Sequence, residues 1–217
     1  GCPLRCQFCH NPDTWKMTEE NGAVWKSADA LLNQALRYRP YWKNGGGITV
    51  SGGEPLLQID FMLEFFKKAK EKGIHTVIDT AGGPFTRKEP FFSKFQELMK
   101  YTDLLLVDIK HIDTECHKVL TGRSNENILD MIRYLSDIKK PIWIRHVLVP
   151  KRSDKDEYLT RLADFIHSLN NVEKVEILPY HTMGIYKWKE LGLDYPLEGI
   201  NPPTKERVEN AKKILTI

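Results

Sequence analysis

Cys2, Cys6 and Cys9 open the sequence in the spacing C-x3-C-x2-C. A 4Fe–4S cluster takes four ligands, one per iron. Three thiolates this close wrap one face of a cubane and leave one iron without a protein ligand. An open coordination position on a metal is where chemistry is done. The bland alternative is a structural zinc ion with His10 as fourth ligand, but zinc cysteines commonly come as two separated pairs, and no second pair exists here. Other polar groups recur at intervals: Ser51-Gly52-Gly53-Glu54, Asp79-Thr80, Asp108 with Lys110, Arg145, and Tyr180-His181. The glycines let a ligand approach the backbone closely. They do not make a nucleotide fingerprint, because Gly45-Gly46-Gly47 precedes the local strand instead of following it. Without the cysteines, Asp79 and Asp108 would suit acid–base hydrolysis.

Elements must carry these residues. Ser27 is placed to cap a helix bearing Leu31, Leu32, Ala35 and Leu36, with Pro40 beyond it. Ile48 to Ser51 reads as a strand, Phe61 to Ala69 as a helix ending near Gly73, and Ile74 to Asp79 as a strand. Phe91 to Met99 predicts a helix, Leu104 to Ile109 a buried strand, and Ile128, Ile132 and Leu135 a further helix. Ile142 to Val149 is a strand, and Ser153 is expected to cap a helix carrying Leu159, Leu162, Phe165, Ile166 and Leu169. Val172 to Leu178 is a last strand and Thr204 to Leu215 a last helix. Five strands alternating with helices predict an α/β fold with a parallel sheet. Two architectures fit: a doubly wound open sheet and a partial (β/α) barrel. In both, ligands gather at the C-terminal strand ends, where the polar groups fall.

Composition narrows the class. The chain has 217 residues, 41% of them hydrophobic, which suits one domain with a real core. Its charge of +3, from 32 basic and 29 acidic residues, is too balanced for nucleic acid as main partner. No apolar run approaches the ~20 residues of a membrane helix, and no secretory signal is visible. Of four cysteines only Cys116 lies outside the motif, which argues against a disulfide framework and for the reducing cytoplasm.

The run Cys2-Pro3-Leu4-Arg5-Cys6-Gln7-Phe8-Cys9-His10-Asn11-Pro12-Asp13-Thr14-Trp15 resembles the cluster loop of radical S-adenosylmethionine enzymes. With Ser51-Gly52-Gly53-Glu54, Asp79-Thr80, Val107-Asp108-Ile109-Lys110, Trp143-Ile144-Arg145 and Leu178-Pro179-Tyr180-His181, it is similar to the pyruvate formate-lyase activating enzymes over nearly its whole length. One departure is Ala81, where an asparagine often sits in that family. The resemblance implies a single radical domain over residues 1–217, folded as a partial (β/α)6 TIM-like barrel. It also implies a first strand before Cys2, so that the sequence is expected to be N-terminally incomplete.

For the site, the resemblance implies that Cys2, Cys6 and Cys9 hold one 4Fe–4S cluster and that S-adenosylmethionine chelates the open iron. Gly53 would receive the methionyl amine. Asp108, Ile109 and Lys110 would form the segment that positions the methionyl end. Phe8, Cys9, His10, Arg145 and His181 would complete the cofactor contacts, and Asp79 with Asp108 would offer oxygen ligands to a monovalent cation. The implied activity is reductive cleavage of S-adenosylmethionine and generation of a glycyl radical on pyruvate formate-lyase. The implied setting is a monomer served by a flavodoxin-type electron donor. An activase of another glycyl-radical enzyme is the nearest rival, although residues 10 to 50 contain no cysteine for further clusters. A non-enzymatic iron–sulfur electron carrier is the rival from another class.

Some residues read as structural. Arg145 alternates in phase with Trp143, Val147 and Val149, so it either contacts the cofactor or pairs with an acidic strand end. His146 falls on the opposite, helix-covered face. Cys116, His75, His111, His117 and His167 carry no motif. Residues 181 to 203 lack periodicity and hold Tyr186, Trp188 and Tyr195. They either border an entrance for a protein substrate or form an Ω-loop packing its own aromatics.

Overall fold

The computed structural model describes residues 1–16 and 23–216. Among these, strands β1 (Gly47–Val50), β2 (His75–Thr80), β3 (Leu104–Asp108), β4 (Ile142–Leu148) and β5 (Val172–Pro179) form one parallel sheet in the order β1-β2-β3-β4-β5. The helices are α1 (Ala28–Leu36), α2 (Ile59–Glu71), α3 (Phe91–Lys100), α4 (Thr114–Thr121), α5 (Glu126–Asp137), α6 (Asp156–His167), α7 (Ile185–Glu190) and α8 (Lys205–Ile214). A doubly wound sheet reverses its strand order at a switch point. This sheet keeps sequence order from edge to edge, so the architecture is the open, partial-barrel one.

One face of the sheet carries the core. Along β4, Ile142, Ile144, His146 and Leu148 are buried while Trp143, Arg145 and Val147 are only partly covered, which is the period of two that the sequence shows. Ile78, Leu105 and Ile144 join Phe65 and Phe66 of α2, Phe95 of α3, Met131 and Leu135 of α5, and Leu159 and Ile166 of α6 in one cluster. Each such side chain contributes about 1.5–3 kcal/mol by leaving water. Ser27 caps α1 as expected, accepting from the Ala30 N–H at 3.2 Å.

Two local expectations are corrected. Ser153 does not cap α6, which begins at Asp156 after Lys155. Its buried hydroxyl instead donates to the Val147 carbonyl at 2.7 Å and accepts from the Val149 N–H at 3.0 Å, closing the turn after β4. Residues 181–203 are not without regular structure, for they contain the two-turn helix α7. Six residues hold too few repeats to show a helical period in the sequence.

His111 is 1% exposed, and its Nδ1 accepts from the Asp113 N–H at 3.0 Å. Burial, aided by His146, pushes its pKa down to about 4. Between about 4 and the ordinary 6.5, the unfolded chain therefore binds a proton that the native protein does not. Stability should fall as pH drops from 6.5 through 4. Urea titrations of the native sequence and His111→Gln across that window check this; parallel pH profiles would refute it.

Candidate active site

The C-terminal strand ends and the cysteine loop enclose a cavity of about 340 Å³. Cys2, Cys6, Cys9, Phe8 and His10 line one side. Ser51 to Gly53 follow β1, Asp79 to Ala81 end β2, Asp108 and Lys110 end β3, Arg145 comes from β4, and Leu178 to His181 follow β5. Sequence-distant residues meet here because parallel strands all end on the same edge of the sheet. A second cavity, about 380 Å³, lies beyond Gly52–Gly53 against Trp25, Phe61 and Met62 and is lined by no cysteine.

The cysteine loop is held from outside. The Arg5 and Gln7 amides donate to the Thr121 and Leu120 carbonyls at 2.7 and 2.9 Å, so the last turn of α4 finds its partners in the loop. Arg5 Nη1 returns to the Cys2 and Leu4 carbonyls at 2.7 and 2.8 Å, and its guanidinium lies over the Trp15 ring. Trp188 of α7 is buried, donates to the Cys9 carbonyl at 2.9 Å, and packs edge-on against Trp15 and Tyr195. Trp188 thus braces the loop from within. Of the two readings of residues 181–203, the packing of aromatics describes Trp188 and Tyr195, while Tyr186 stays exposed.

All three loop thiols are free, and Cys116 stands apart from the cavity, 3.5 Å from the Tyr158 hydroxyl. Burial raises all three loop thiols, Cys6 to about 12, against the pull of Lys110. Thiolates at these positions require a metal to displace their protons. Among the described residues no three His, Cys, Asp or Glu side chains converge on one ion position, which is what a lone zinc ion would need. A cubane makes no such demand, since each thiolate takes its own iron.

Opposite the thiols lie two carboxylates and two cations. Lys110 Nζ donates to Asp108 Oδ2 at 2.7 Å, with side chains only 13% and 12% exposed. Arg145 Nη1 donates to Asp79 Oδ2 at 2.7 Å, and its Nε lies 3.7 Å from Asp108 Oδ1. Arg145 therefore forms the strand-end ion pair and lines the cavity as well. Burial pulls Lys110 and Arg145 down, but the nearby carboxylates outweigh it and leave both raised. Burial, then the Asp108 charge, raises Asp79 against the pull of Arg145. Asp108 lines the cavity, and its buried Oδ1 accepts no hydrogen bond, holding only the 3.7 Å ion-pair contact with Arg145 Nε. A Cβ on Gly53 would lie 2.4 Å from the Gly1 carbonyl oxygen, so only glycine passes there. Gly184 is similarly required, its place for a Cβ lying 2.9 Å from the His10 backbone. Three thiols, a buried carboxylate oxygen without a hydrogen bond and a buried ammonium fit a cluster together with an amino-acid head group.

Ile109 is the exception among the expected contacts. Its side chain is 1% exposed in the main core, not in the cavity, because β3 alternates and residue 109 points toward the helices. Phe8 lies under Lys110, its ring centroid 5.5 Å from Nζ, and the His10 and His181 rings meet edge-on at 5.0 Å. Glu54 was singled out only as part of a glycine motif. It is 3% exposed, and its carboxylate binds Leu56, Thr80 and Ala81, tying the end of β1 to the end of β2. A buried acid flanked by glycine and proline was the only sequence signal for it.

Comparison with known proteins identifies the relatives of the chain. The model of the radical SAM superfamily matches residues 1–163. The pyruvate formate-lyase-activating enzyme of Streptococcus mutans is 54% identical over 215 residues, covering 99% of this chain and 81% of that protein. That of Listeria monocytogenes is 55% identical over 216 residues, covering 99% and 86%. Among solved structures, a domain of pyruvate-formate lyase-activating enzyme from Bacteroides vulgatus superposes with a TM-score of 0.64 at 29% identity, over 79% of this chain and 94% of that one. Streptococcus suis SuiB bound to S-adenosylmethionine shares the fold, with a TM-score of 0.69 at 19% identity over 98% of this chain and 44% of that one.

Proposed function

This chain belongs to the radical SAM superfamily and, within it, to the pyruvate formate-lyase-activating enzymes, and from that premise we propose how its cavity works. The activity is reductive cleavage of S-adenosylmethionine to generate a glycyl radical on pyruvate formate-lyase. One 4Fe–4S cluster and S-adenosylmethionine supply the one-electron chemistry and the hydrogen-abstracting radical when bound. The observation that carries the residue assignments is that three free thiols share one cavity with Lys110 and with Asp108, whose buried Oδ1 accepts no hydrogen bond.

Cys2, Cys6 and Cys9 would ligate three irons. Lys110 would meet the methionyl carboxylate and the Gly53 backbone the methionyl amine, with Asp108 Oδ1 as a further acceptor for that amine. Phe8, His10 and His181 would border the adenosyl group, and Ile109 would contribute through its backbone alone. Arg145 would hold Asp79 and Asp108 in place, leaving the second oxygen of Asp79, rather than an oxygen of Asp108, for a monovalent cation. No side chain needs to act as a general base.

Residues 1–217 are taken as one radical SAM domain, a cytoplasmic monomer reduced by a flavodoxin-type donor. No helix among the described residues is long and apolar enough to cross a membrane. The decisive experiment is anaerobic cluster reconstitution and reduction, then S-adenosylmethionine with pyruvate formate-lyase. A perturbed cluster EPR signal, 5′-deoxyadenosine and a protein glycyl radical are expected. Deoxyadenosine without the glycyl radical would point to another glycyl-radical partner. A cluster indifferent to S-adenosylmethionine would leave the electron carrier.

A further inference from the structure

We propose that His146 is a positioning residue for the Asp108–Ile109–Lys110 strand end, and so for binding of the methionyl end of the cofactor. The inference rests on the cofactor assignment above. His146 lies on the helix-covered face of β4, 2% exposed, and does not line the cavity. Its Nδ1 is 2.8 Å from the Ile109 carbonyl oxygen and its Nε2 is 3.2 Å from that of Ser153.

Ile109 is the first residue beyond β3, where a chain leaving a sheet ordinarily loses its ladder partners. Here both of its peptide groups are taken by β4. The Ile109 N–H donates to the Arg145 carbonyl at 3.0 Å, and the Ile109 carbonyl accepts from His146. The two residues flanking this pinned unit are Asp108 and Lys110, whose side chains meet at 2.7 Å on the other face. Fixing Ile109 from behind therefore fixes where both charged side chains leave the backbone.

A histidine is a costly filler for a core position, since its ring nitrogens must be desolvated. A Leu or Phe would fill the space without that cost. Burial holds the ring below its ordinary pKa, so it carries one proton, and the shorter contact assigns that proton to Nδ1. With the proton on Nδ1, Nε2 has only a lone pair to set against the Ser153 carbonyl, so that 3.2 Å approach is not a hydrogen bond. That turn also reaches the cysteine loop, through Arg152 Nε and Gln7 Oε1 at 3.2 Å.

The test uses reconstituted full-length chain and three variants. The amide of His146→Asn stands where Nδ1 stands and can donate to Ile109. That of His146→Gln reaches only toward Nε2, and His146→Phe has no donor. The readouts are iron content, the EPR signal without S-adenosylmethionine, and the S-adenosylmethionine concentration that half-perturbs that signal. The Phe and Gln variants should keep wild-type iron and the unliganded signal but need about tenfold more S-adenosylmethionine, the equivalent of one lost hydrogen bond. His146→Asn should stay within about threefold of wild type. If the Phe variant fails to fold, the Gln–Asn pair decides. Equal affinity for S-adenosylmethionine in Gln and Asn, or wild-type affinity in Phe, overturns the proposal while the cofactor assignment stands. An unperturbed signal in the wild-type protein overturns both.

Discussion

Lys110→Met is expected to weaken S-adenosylmethionine binding by about 100-fold, or ~2.7 kcal/mol, without removing the cluster. Lys110 is the one ammonium among the groups that line the cavity with the thiols, and its partner is nearly inaccessible to water. Removing one member of a buried pair costs ~3–5 kcal/mol because the other charge is left without its counter-ion. Arg145, 3.7 Å from Asp108 Oδ1, offsets part of that loss in the free protein. It does not replace the group that faces the carboxylate of the ligand, so the loss falls on binding. Removing a positive charge beside the thiols also disfavours the added electron, and the midpoint potential should move negative. Lys110→Arg keeps the charge but is bulkier and planar, and should fall between wild type and Met. Titration of the reduced protein with S-adenosylmethionine under EPR, alongside iron analysis, measures this. Wild-type affinity in the Met variant would remove Lys110 from the site.

Glu54→Ala should have the largest effect on the fold itself. Glu54 Oε1 accepts from the Leu56 N–H at 3.1 Å and the Thr80 hydroxyl at 2.5 Å, and Oε2 accepts from the Ala81 N–H at 3.0 Å. Deleting the carboxylate strands three donors in a site closed to water, at ~1–3 kcal/mol each before relaxation. A total of ~3–5 kcal/mol is expected, read as a lowered urea midpoint with unchanged slope. Glu54→Gln keeps an acceptor for Leu56 and Thr80 but sets an amide against the Ala81 N–H, so it should cost less. Burial raises the Glu54 pKa above 4.5 despite these bonds. From 4.5 up to its native pKa, the native protein then holds a proton that the unfolded chain has lost. Glu54 thus makes stability fall as pH rises through that window, opposite in sign to His111. In Glu54→Gln the contribution of opposite sign to that of His111 should be removed; an unchanged pH profile would show that Glu54 does not titrate there. Both Glu54 variants should also loosen Gly53 and Asp79, because Glu54 joins the segments that carry them.

How the site could be read in advance follows from what it is made of. Cys2, Cys6 and Cys9 share one short loop, and their spacing alone suggests the metal. The strand-end residues were legible because alternating apolar segments predict a parallel sheet, and such a sheet brings its C-terminal ends together. The alternation along β4 also followed from the period of two, whereas the register Asp108↔Arg145 is set only by the strand pairing. Arg145 could not be assigned because an arginine on that face has carboxylates on either side of it. Only the observed 2.7 Å contact to Asp79 decides which one it takes. The phase of β3 puts Ile109 on the helix-covered face, yet its neighbours in the motif drew it into the expected contacts.

What the sequence determined by itself was chemistry carried by residue type and local spacing: a cluster loop, an α/β alternation, and a set of charges at strand ends. What tertiary structure decided was which buried group meets which. Glu54 finds Thr80 and Ala81, Trp188 finds the Cys9 carbonyl, and His146 finds Ile109, across 26, 27, 179 and 37 residues of chain. Such partners have no periodicity, because a single hydrogen bond made through packing leaves no repeat along the chain. The open strand order was decided the same way, since helix and strand periods are the same in a doubly wound sheet and a partial barrel, and only the pairing of β1 through β5 tells them apart.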